Sequence, residues 1–213
     1  MGDATLNFDD EARKLFRKLG IDPSVRTSLY APLDVIWKSE GSSAAIYVGN
    51  QTAARDAQLL KNHGITHIVN CTGDLDNYCE GEPSLAYLRW HVIEWQFAGD
   101  AMRVEQATLP EQLRFLARLF DFVQRALSSG GSVLVHCASG MHRAGTTGVL
   151  LRMFKSGERA KQATERAQAA RPVINPDDLS GPDGTLPRLL RMYEERVIDN
   201  TGVWGLGPMV ERS

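Results

Sequence analysis

A cysteine and an arginine with five residues between them form the pattern in this sequence best suited to chemistry. The residues between Cys137 and Arg143 are Ala138, Ser139, Gly140, Met141 and His142. A loop of this length can curl around one tetrahedral anion when its peptide N–H groups point inward. A helix predicted directly after the loop would add positive potential at the same place. We therefore expect residues 138–143 to bind a phosphate-like anion.

The two ends of this loop offer complementary chemistry. Cations and helix N-termini lower thiol pKa values from about 8.5 to roughly 3.5–7.5, so we expect Cys137 to act as a thiolate nucleophile at neutral pH. The planar guanidinium of Arg143 can bind two phosphoryl oxygens and stabilise the charge that develops on them. Gly140 would let the backbone approach the anion closely.

The sequence around the loop decides how this spacing is interpreted. A cysteine with a distant arginine is by itself weak evidence, because cysteines are often buried as small apolar residues. Here Ser132–Val135 is a short apolar run that predicts a strand, and Ala144–Lys155 is apolar at helical spacing. A strand, loop and helix in this order favour catalysis by Cys137.

The rest of the chain alternates between segments with strand and helix patterns. Short strands are predicted at residues 35–37, 45–48, 65–69, 85–93 and 132–135, and helices at 8–19, 53–63, 108–127, 144–155, 160–170 and 186–197. This alternation predicts an α/β fold with a mainly parallel central sheet flanked by helices on both faces. The ligand site of such a sheet lies at the carboxyl ends of its strands.

The loop and its flanks resemble the protein tyrosine phosphatase superfamily. The resemblance rests on the strand before the loop, His136 beside Cys137, the glycine within the loop and the helix after it. The segments Ile46–Asn50 and Ile65–Asn70 are similar to the opening of a dual-specificity phosphatase domain. The resemblance covers residues 35–197, which are expected to form the catalytic domain. The sequence pattern itself predicts a helical extension over 1–34 and an irregular tail over 198–213.

This resemblance implies hydrolysis of phosphate monoesters on protein Tyr and Ser/Thr through a cysteinyl-phosphate intermediate. Family members protonate the leaving alcohol with an aspartate upstream of the cysteine, and Asp100 occupies the corresponding place. Glu94 and Glu105 are nearby alternatives. His136 is expected to support the loop and Cys137 through hydrogen bonds.

The residue after the loop arginine departs from the usual family pattern. Most members have Ser or Thr there, where the hydroxyl helps the thiolate leave the phosphoenzyme, whereas this chain has Ala144. The second chemical step is therefore expected to be slower. Plant glucan phosphatases also have Arg followed by Ala, which makes phosphoglucan an alternative substrate, and a weakly active phospho-binding module is a further alternative.

Four other residues allow both a functional and a structural interpretation. Cys71 follows a predicted strand and could pair with Cys137 as a redox partner, although a buried free cysteine is the more common state. Trp90 could line the substrate pocket or pack in the core. Trp95 and Phe97 are better placed beside Asp100 as wall residues.

Composition excludes several classes of partner. The chain has 24 basic and 26 acidic residues, giving a net charge of -2, so no broad basic field exists to bind nucleic acid or a membrane. The three cysteines lack the spacing of a zinc site, and no metal or cofactor is expected. A reduced, cytoplasmic protein is expected, with phosphorylated protein as its partner. The oligomeric state is left open.

Overall fold

A five-stranded mixed sheet forms the centre of the computed structural model, which describes residues 31–97, 109–176 and 184–199, with only the backbone described at 95–97 and 109. The strands are β1 (Leu33–Lys38), β2 (Ala45–Gly49), β3 (Ile65–Asn70), β4 (Ala86–Arg89) and β5 (Ser132–His136). Their order across the sheet is β1-β2-β5-β3-β4. Strand β1 is antiparallel to β2, and the other neighbours are parallel.

Within the described ranges, six α-helices connect and follow these strands. They are α1 (Gln51–Arg55), α2 (Ala57–Asn62), α3 (Leu109–Ser128), α4 (Arg143–Ser156), α5 (Ala160–Ala170) and α6 (Thr185–Tyr193). A 3₁₀ helix covers Val92–Phe97, and a π-helical turn covers Glu194–Ile198. None of the helices in the described ranges is both long and apolar enough to span a bilayer.

The central strand β5 is buried along its whole length. Its side chains alternate between the two faces of the sheet, as strand geometry requires. Val133 and Val135 pack into the larger apolar cluster, with residues of α3 and α4, whereas Leu134 packs into a smaller cluster with residues of α1 and α2. Helices therefore cover both faces of the sheet. The carboxyl end of β5 lies between those of its neighbours β2 and β3.

The predicted fold class is confirmed, with local corrections. The helix expected over 53–63 is two helices, because Asp56 has an extended backbone (φ -95, ψ 90) and its carboxylate accepts a hydrogen bond from Leu59 N at 2.9 Å. The strand expected over 85–93 ends at Arg89. The parallel sheet carries one antiparallel edge strand, β1. The predicted helix at 8–19, Thr108 and most of the 198–213 tail lie outside the described residues.

Candidate active site

The loop that begins with Cys137 follows β5 directly and ends where α4 begins at Arg143. Cys137 is 2% exposed. Two parallel neighbours, β2 and β3, flank β5 and end at the same level, since Gly49 and Asn70 both pair with His136. The sheet therefore presents the cysteine at the carboxyl edge of its most buried strand, as the sequence predicts.

The first half of the loop is held from outside by its carbonyl oxygens. Gln51 N, at the start of α1, donates to Ala138 O at 3.1 Å. The guanidinium of Arg171 donates through Nη2 to Ser139 O at 3.5 Å and through Nε to Gly140 O at 3.2 Å. Three consecutive carbonyls thus face away from the interior of the loop.

The second half of the loop is anchored by the segment that follows α5. Asn175 N donates to Met141 O at 3.2 Å, and the ring Nδ1 of His142 donates to Asn175 O at 2.9 Å. Thr146 N, in the first turn of α4, donates to His142 O at 2.8 Å. The side chain of His142 therefore holds the loop to its neighbour, while its backbone enters the helix.

These outward carbonyls determine where the peptide N–H groups point. In a trans peptide the N–H group is opposite the preceding carbonyl, so outward carbonyls turn the N–H groups of residues 139–142 toward the interior of the loop. Gly140 N–H already points at the Cys137 sulfur, at 3.2 Å. Gly140 has φ +69°, and a Cβ there would lie 2.6 Å from Gly49 O, so this position needs glycine. The loop is an amide-lined cradle for an anion.

Arg143 stands at the mouth of this cradle. Its side chain is 30% exposed, and Nη1 lies 3.7 Å from the Asp74 carboxylate, which is 78% exposed. An ion pair this open to water contributes little to stability. At 3.7 Å the contact is longer than a hydrogen bond, so the N–H donors of the guanidinium are left for a ligand. The 14-residue helix α4 adds its positive end beside them.

His136 is completely buried behind the nucleophile. Neither ring nitrogen makes a hydrogen bond to any described residue. Burial lowers the pKa of His136 to about 4, with the nearby Cys137 backbone opposing this and Arg89 and Arg143 adding to it. The ring is therefore neutral at physiological pH. The expected hydrogen-bonded support comes from the backbone instead, because His136 O accepts from Cys71 N at 2.9 Å.

The position after Arg143 is closed off from water. Ala144 is 0% exposed. The Thr147 hydroxyl donates to Arg143 O at 2.8 Å and accepts from the Cys71 thiol at 3.4 Å, and the buried Thr146 hydroxyl has no hydrogen-bond partner among the described residues. Within the described ranges, no hydroxyl takes the place of the one that Ala144 lacks.

Cys71 lies under the cradle at the end of β3. It is fully buried, and burial raises the pKa of its thiol, with the negative charge of Cys137 adding to the effect. Cys71 is therefore a neutral thiol that donates to Thr147. All three cysteines are free, and pairing of Cys71 with Cys137 stays a prediction.

The structure describes some, but not all, of the predicted acid residues and aromatic wall residues. Asp100 and Glu105 lie outside the described residues. Glu94 is 63% exposed and pairs with His91 at 3.2 Å. Trp90 is 1% exposed and donates its ring N–H to Phe115 O, so it is a core residue. The side chains of Trp95 and Phe97 are not among those described.

Sequence reasoning missed the residues that support the cradle from elsewhere in the chain: Asp34, Gln51, Asp74, Arg171 and Asn175. Arg171 precedes a proline, which marks the end of α5 but gives no sign of a link to a loop 31 residues earlier. Within the described ranges, no group of three His, Cys, Asp or Glu side chains could hold a metal ion.

A buried cysteine in an amide-lined loop between a central parallel strand and a helix, with an arginine closing the loop, defines the class of cysteine-dependent phosphatases. A family model described as "Dual specificity phosphatase, catalytic domain" matches residues 46–180, well over half of the chain. The chain belongs to this dual-specificity phosphatase family of the protein tyrosine phosphatase superfamily.

Curated relatives match the same region at modest identity. Dual specificity protein phosphatase 1 of Arabidopsis thaliana is 29% identical over 132 residues, which cover 62% of this chain and 60% of that protein. Dual specificity protein phosphatase 19 of Mus musculus is 28% identical over 134 residues, which cover 62% of this chain and 54% of that protein. The protein-tyrosine-phosphatase MKP1 of Arabidopsis thaliana is 25% identical over 132 residues, or 15% of its length. The chain therefore spans less than two thirds of each of these relatives.

Solved structures show the same fold. Human DUSP28 has a TM-score of 0.56 at 22% identity, covering 78% of this chain and 94% of that one. The human tyrosine phosphatase-like serine/threonine/tyrosine-interacting protein has a TM-score of 0.51 at 21% identity, covering 76% and 95%. Because one of these proteins is named only as "phosphatase-like", the fold alone does not establish catalysis. Catalysis must therefore be inferred from the residues of the loop.

Proposed function

We propose that this chain hydrolyses phosphate monoesters on protein Tyr and Ser/Thr residues through a cysteinyl-phosphate intermediate. The observation that carries the proposal is the cradle, in which a Gly140 N–H points at the Cys137 sulfur and the neighbouring carbonyls all point away. The matched relatives are named as protein and dual-specificity phosphatases, which supports phosphorylated protein as the substrate.

In the first step, the Cys137 thiolate attacks phosphorus and forms an S–P bond as the bond from phosphorus to the substrate oxygen breaks. The three equatorial oxygens carry the developing charge, and the inward N–H groups together with Arg143 stabilise it. Asp100, in its acid form, gives its proton to the leaving oxygen, so that an alcohol departs rather than an alkoxide. The products are free alcohol and phosphorylated Cys137.

In the second step, Asp100 is a carboxylate and takes a proton from a water molecule that attacks phosphorus. The S–P bond breaks, inorganic phosphate leaves and the thiolate returns. The Gly140 N–H, at 3.2 Å from the sulfur, stabilises the returning negative charge. Ala144 contributes no second hydrogen bond, so this step is expected to limit turnover.

Phosphoglucan is the weaker alternative substrate. Glucan phosphatases share the Arg143-Ala144 pair and a similar aspartate-to-cysteine separation, but they differ from this chain within the loop, at Ala138, Ser139 and His142. Initial rates on phosphotyrosyl peptide, phosphoseryl peptide and phosphoglucan decide between the substrates. We expect hydrolysis of both peptides, lost in Cys137→Ser, and little release from the glucan. Faster release from phosphoglucan than from either peptide would contradict the proposed substrate class. No release from any substrate, with tight peptide binding, would instead favour a binding module.

A further inference from the structure

Arg171 is buried next to the cradle but belongs to neither its sequence motif nor α4. It follows α5 directly, and it is 3% exposed. An arginine this deep must have its charge compensated and its donors occupied, since an unpaired buried charge is costly. The charge is compensated by Asp34 of β1, whose carboxylate accepts from Nη1 at 2.6 Å.

The other donors of Arg171 are occupied by backbone carbonyls. Nη1 also reaches Ala31 O at 3.0 Å, ahead of β1. Nε and Nη2 reach Gly140 O and Ser139 O, at 3.2 and 3.5 Å. The guanidinium is a rigid planar fork, so the two carbonyls are held in a fixed relation to each other and to Asp34.

The two peptide units held by Arg171 are those that matter to the sulfur. The peptide whose carbonyl belongs to Ser139 carries the Gly140 N–H, which points at Cys137 Sγ at 3.2 Å. The peptide whose carbonyl belongs to Gly140 carries the Met141 N–H, which faces the same interior. Releasing these carbonyls would free both N–H groups to turn, and a rotated amide cannot stabilise the thiolate or a bound anion.

We propose that Arg171 is a positioning residue that fixes the inward N–H groups of the cradle, with Asp34 fixing Arg171. Arg171 contacts neither the reacting sulfur nor the anion. It acts through the Ser139 and Gly140 peptides, and it sets both the affinity for phosphate and the stability of the Cys137 thiolate. This inference rests on the proposed function of the loop.

Arg152 provides a matched control. It is also a buried arginine, 9% exposed, and it pairs with the buried Glu158 through Nη2 at 2.9 Å. It also donates to a backbone carbonyl of β1, Ile36 O. The two arginines thus share burial, a carboxylate partner and a carbonyl partner. Arg152 differs by lying near the C-terminal end of α4, without a hydrogen bond to the cradle in the described structure.

The experiment compares Arg171→Lys with Arg152→Lys in the full chain. Lysine keeps the positive charge but loses the fork, so a merely structural role is affected equally in both. Three quantities are measured: the melting temperature, the dissociation constant of inorganic phosphate, and the pH at which Cys137 is half alkylated by iodoacetamide. Mass spectrometry of the peptide that contains Cys137 separates its alkylation from that of Cys71 and Cys79.

Both variants are expected to melt at lower temperature. Only Arg171→Lys should weaken phosphate binding, by about tenfold or more, as expected for misaligned hydrogen bonds to a charged group. Its alkylation midpoint should rise by about one pH unit, because fewer N–H groups stabilise the thiolate. Asp34→Asn retains Arg171 and should shift both quantities in the same direction by a smaller amount, which provides a second variant if Arg171→Lys does not fold.

Unchanged phosphate affinity and midpoint in folded Arg171→Lys would overturn the positioning role. So would equal changes in Arg152→Lys, or unchanged values in Asp34→Asn when Arg171→Lys fails to fold. Failure of the proposed function would give a different result: the Cys137→Ser variant would hydrolyse phosphopeptide as fast as the wild-type protein. The two failures can be told apart, because the Arg171→Lys measurements test only the positioning role and the Cys137→Ser measurement tests the proposed function.

Discussion

The two ends of α4 differ in whether the polar groups around them have hydrogen-bond partners. At its C-terminal end, Gly157 adopts a left-handed conformation (φ 65°) and its N–H caps Met153 O, while Arg152 and Glu158 satisfy each other in a buried ion pair. At its N-terminal end, no side chain caps the helix. The buried side-chain polar atoms without a hydrogen-bond partner in the described ranges belong to His136 and Thr146, on either side of the cradle.

This difference shows where the protein gives up stability for function. A buried polar group without a partner costs about 1–3 kcal/mol, and such groups are rare in folded proteins. Both groups flank the loop whose inward N–H groups and uncapped helix N-terminus stay available to a ligand. The closed end of the same helix holds α4 against β1. We expect substitutions at the open end to change activity and substitutions at the closed end to change stability.

The largest effect is expected from Cys137→Ser at the open end. A serine hydroxyl is not ionised at neutral pH and is a far weaker nucleophile, so hydrolysis of p-nitrophenyl phosphate should fall by at least about 10³-fold. The amide cradle and Arg143 are unchanged, so phosphate should still bind. Steady-state rates measure the loss of hydrolysis, and calorimetric titration with phosphate measures the retained binding. Activity near the wild-type level would remove Cys137 from the mechanism.

Asp100→Asn should have the next largest effect, and it tests a residue assigned by resemblance alone. General acid catalysis contributes typically about 10²–10⁴-fold, and only poor leaving groups need it in full. We expect a loss of kcat of this size on phosphoseryl peptide and a much smaller loss on an activated aryl phosphate. Equal losses on both substrates would shift the assignment to Glu94 or Glu105, whose glutamine variants serve as controls.

Glu158→Gln tests the closed end of α4. Removing one partner of a buried ion pair leaves Arg152 uncompensated and typically costs about 3–5 kcal/mol. Denaturant unfolding should show this loss, while kcat per folded molecule stays at the wild-type value because the cradle is untouched. Glu165→Gln, an exposed substitution on α5, is the matched control and should change neither. A selective loss of kcat in Glu158→Gln would contradict the division between the two ends.

Acid should destabilise the protein through His136. Its pKa is lowered from 6.5 to about 4 by burial, so between these values the unfolded chain binds more protons than the folded chain. Stability from this group is fully present above pH 6.5 and is lost as the pH falls toward 4, by about 3 kcal/mol. Unfolding free energies at pH 7 and 4.5 should differ less in His136→Asn. An equal difference in that variant would mean that other groups cause the loss.

Ala144→Ser is expected to give the smallest effect, and in the opposite direction. Wild type should release a burst of alcohol on rapid mixing if departure of the Cys137 thiolate limits turnover. A serine hydroxyl could donate one hydrogen bond to the sulfur, which corresponds to roughly a tenfold gain in kcat. Thr146→Val is the control, because the Thr146 hydroxyl makes no bond to the sulfur, and it should leave kcat unchanged. Absence of a burst with unchanged kcat in Ala144→Ser would show that another step is limiting.

Sequence reasoning predicted the strand, loop and helix around Cys137 because these residues are contiguous and their order is the signal. It could not predict Arg171, whose partner Asp34 lies 137 residues earlier in the chain. The residues next to an arginine in the sequence do not indicate which distant carbonyl oxygens its side chain will hydrogen-bond. The antiparallel pairing of β1 was missed for the same reason, since a short strand has no local sign of its direction. The break at Asp56, in contrast, follows from a side-chain cap and could have been predicted from sequence.

The position of β5 has a consequence for how the chain folds. Val133 pairs with Ile46, and Ser132 pairs with Ile65, so the central strand joins segments that are far apart in sequence. Non-local pairing of this kind folds slowly, because long loops must close before the contacts form. The amide cradle follows that strand in the chain, and hydrogen bonds from α1 and from the segment after α5 hold it in place. Phosphate binding should therefore appear only at the end of refolding, and phosphate added during refolding should stabilise the finished chain without speeding its formation.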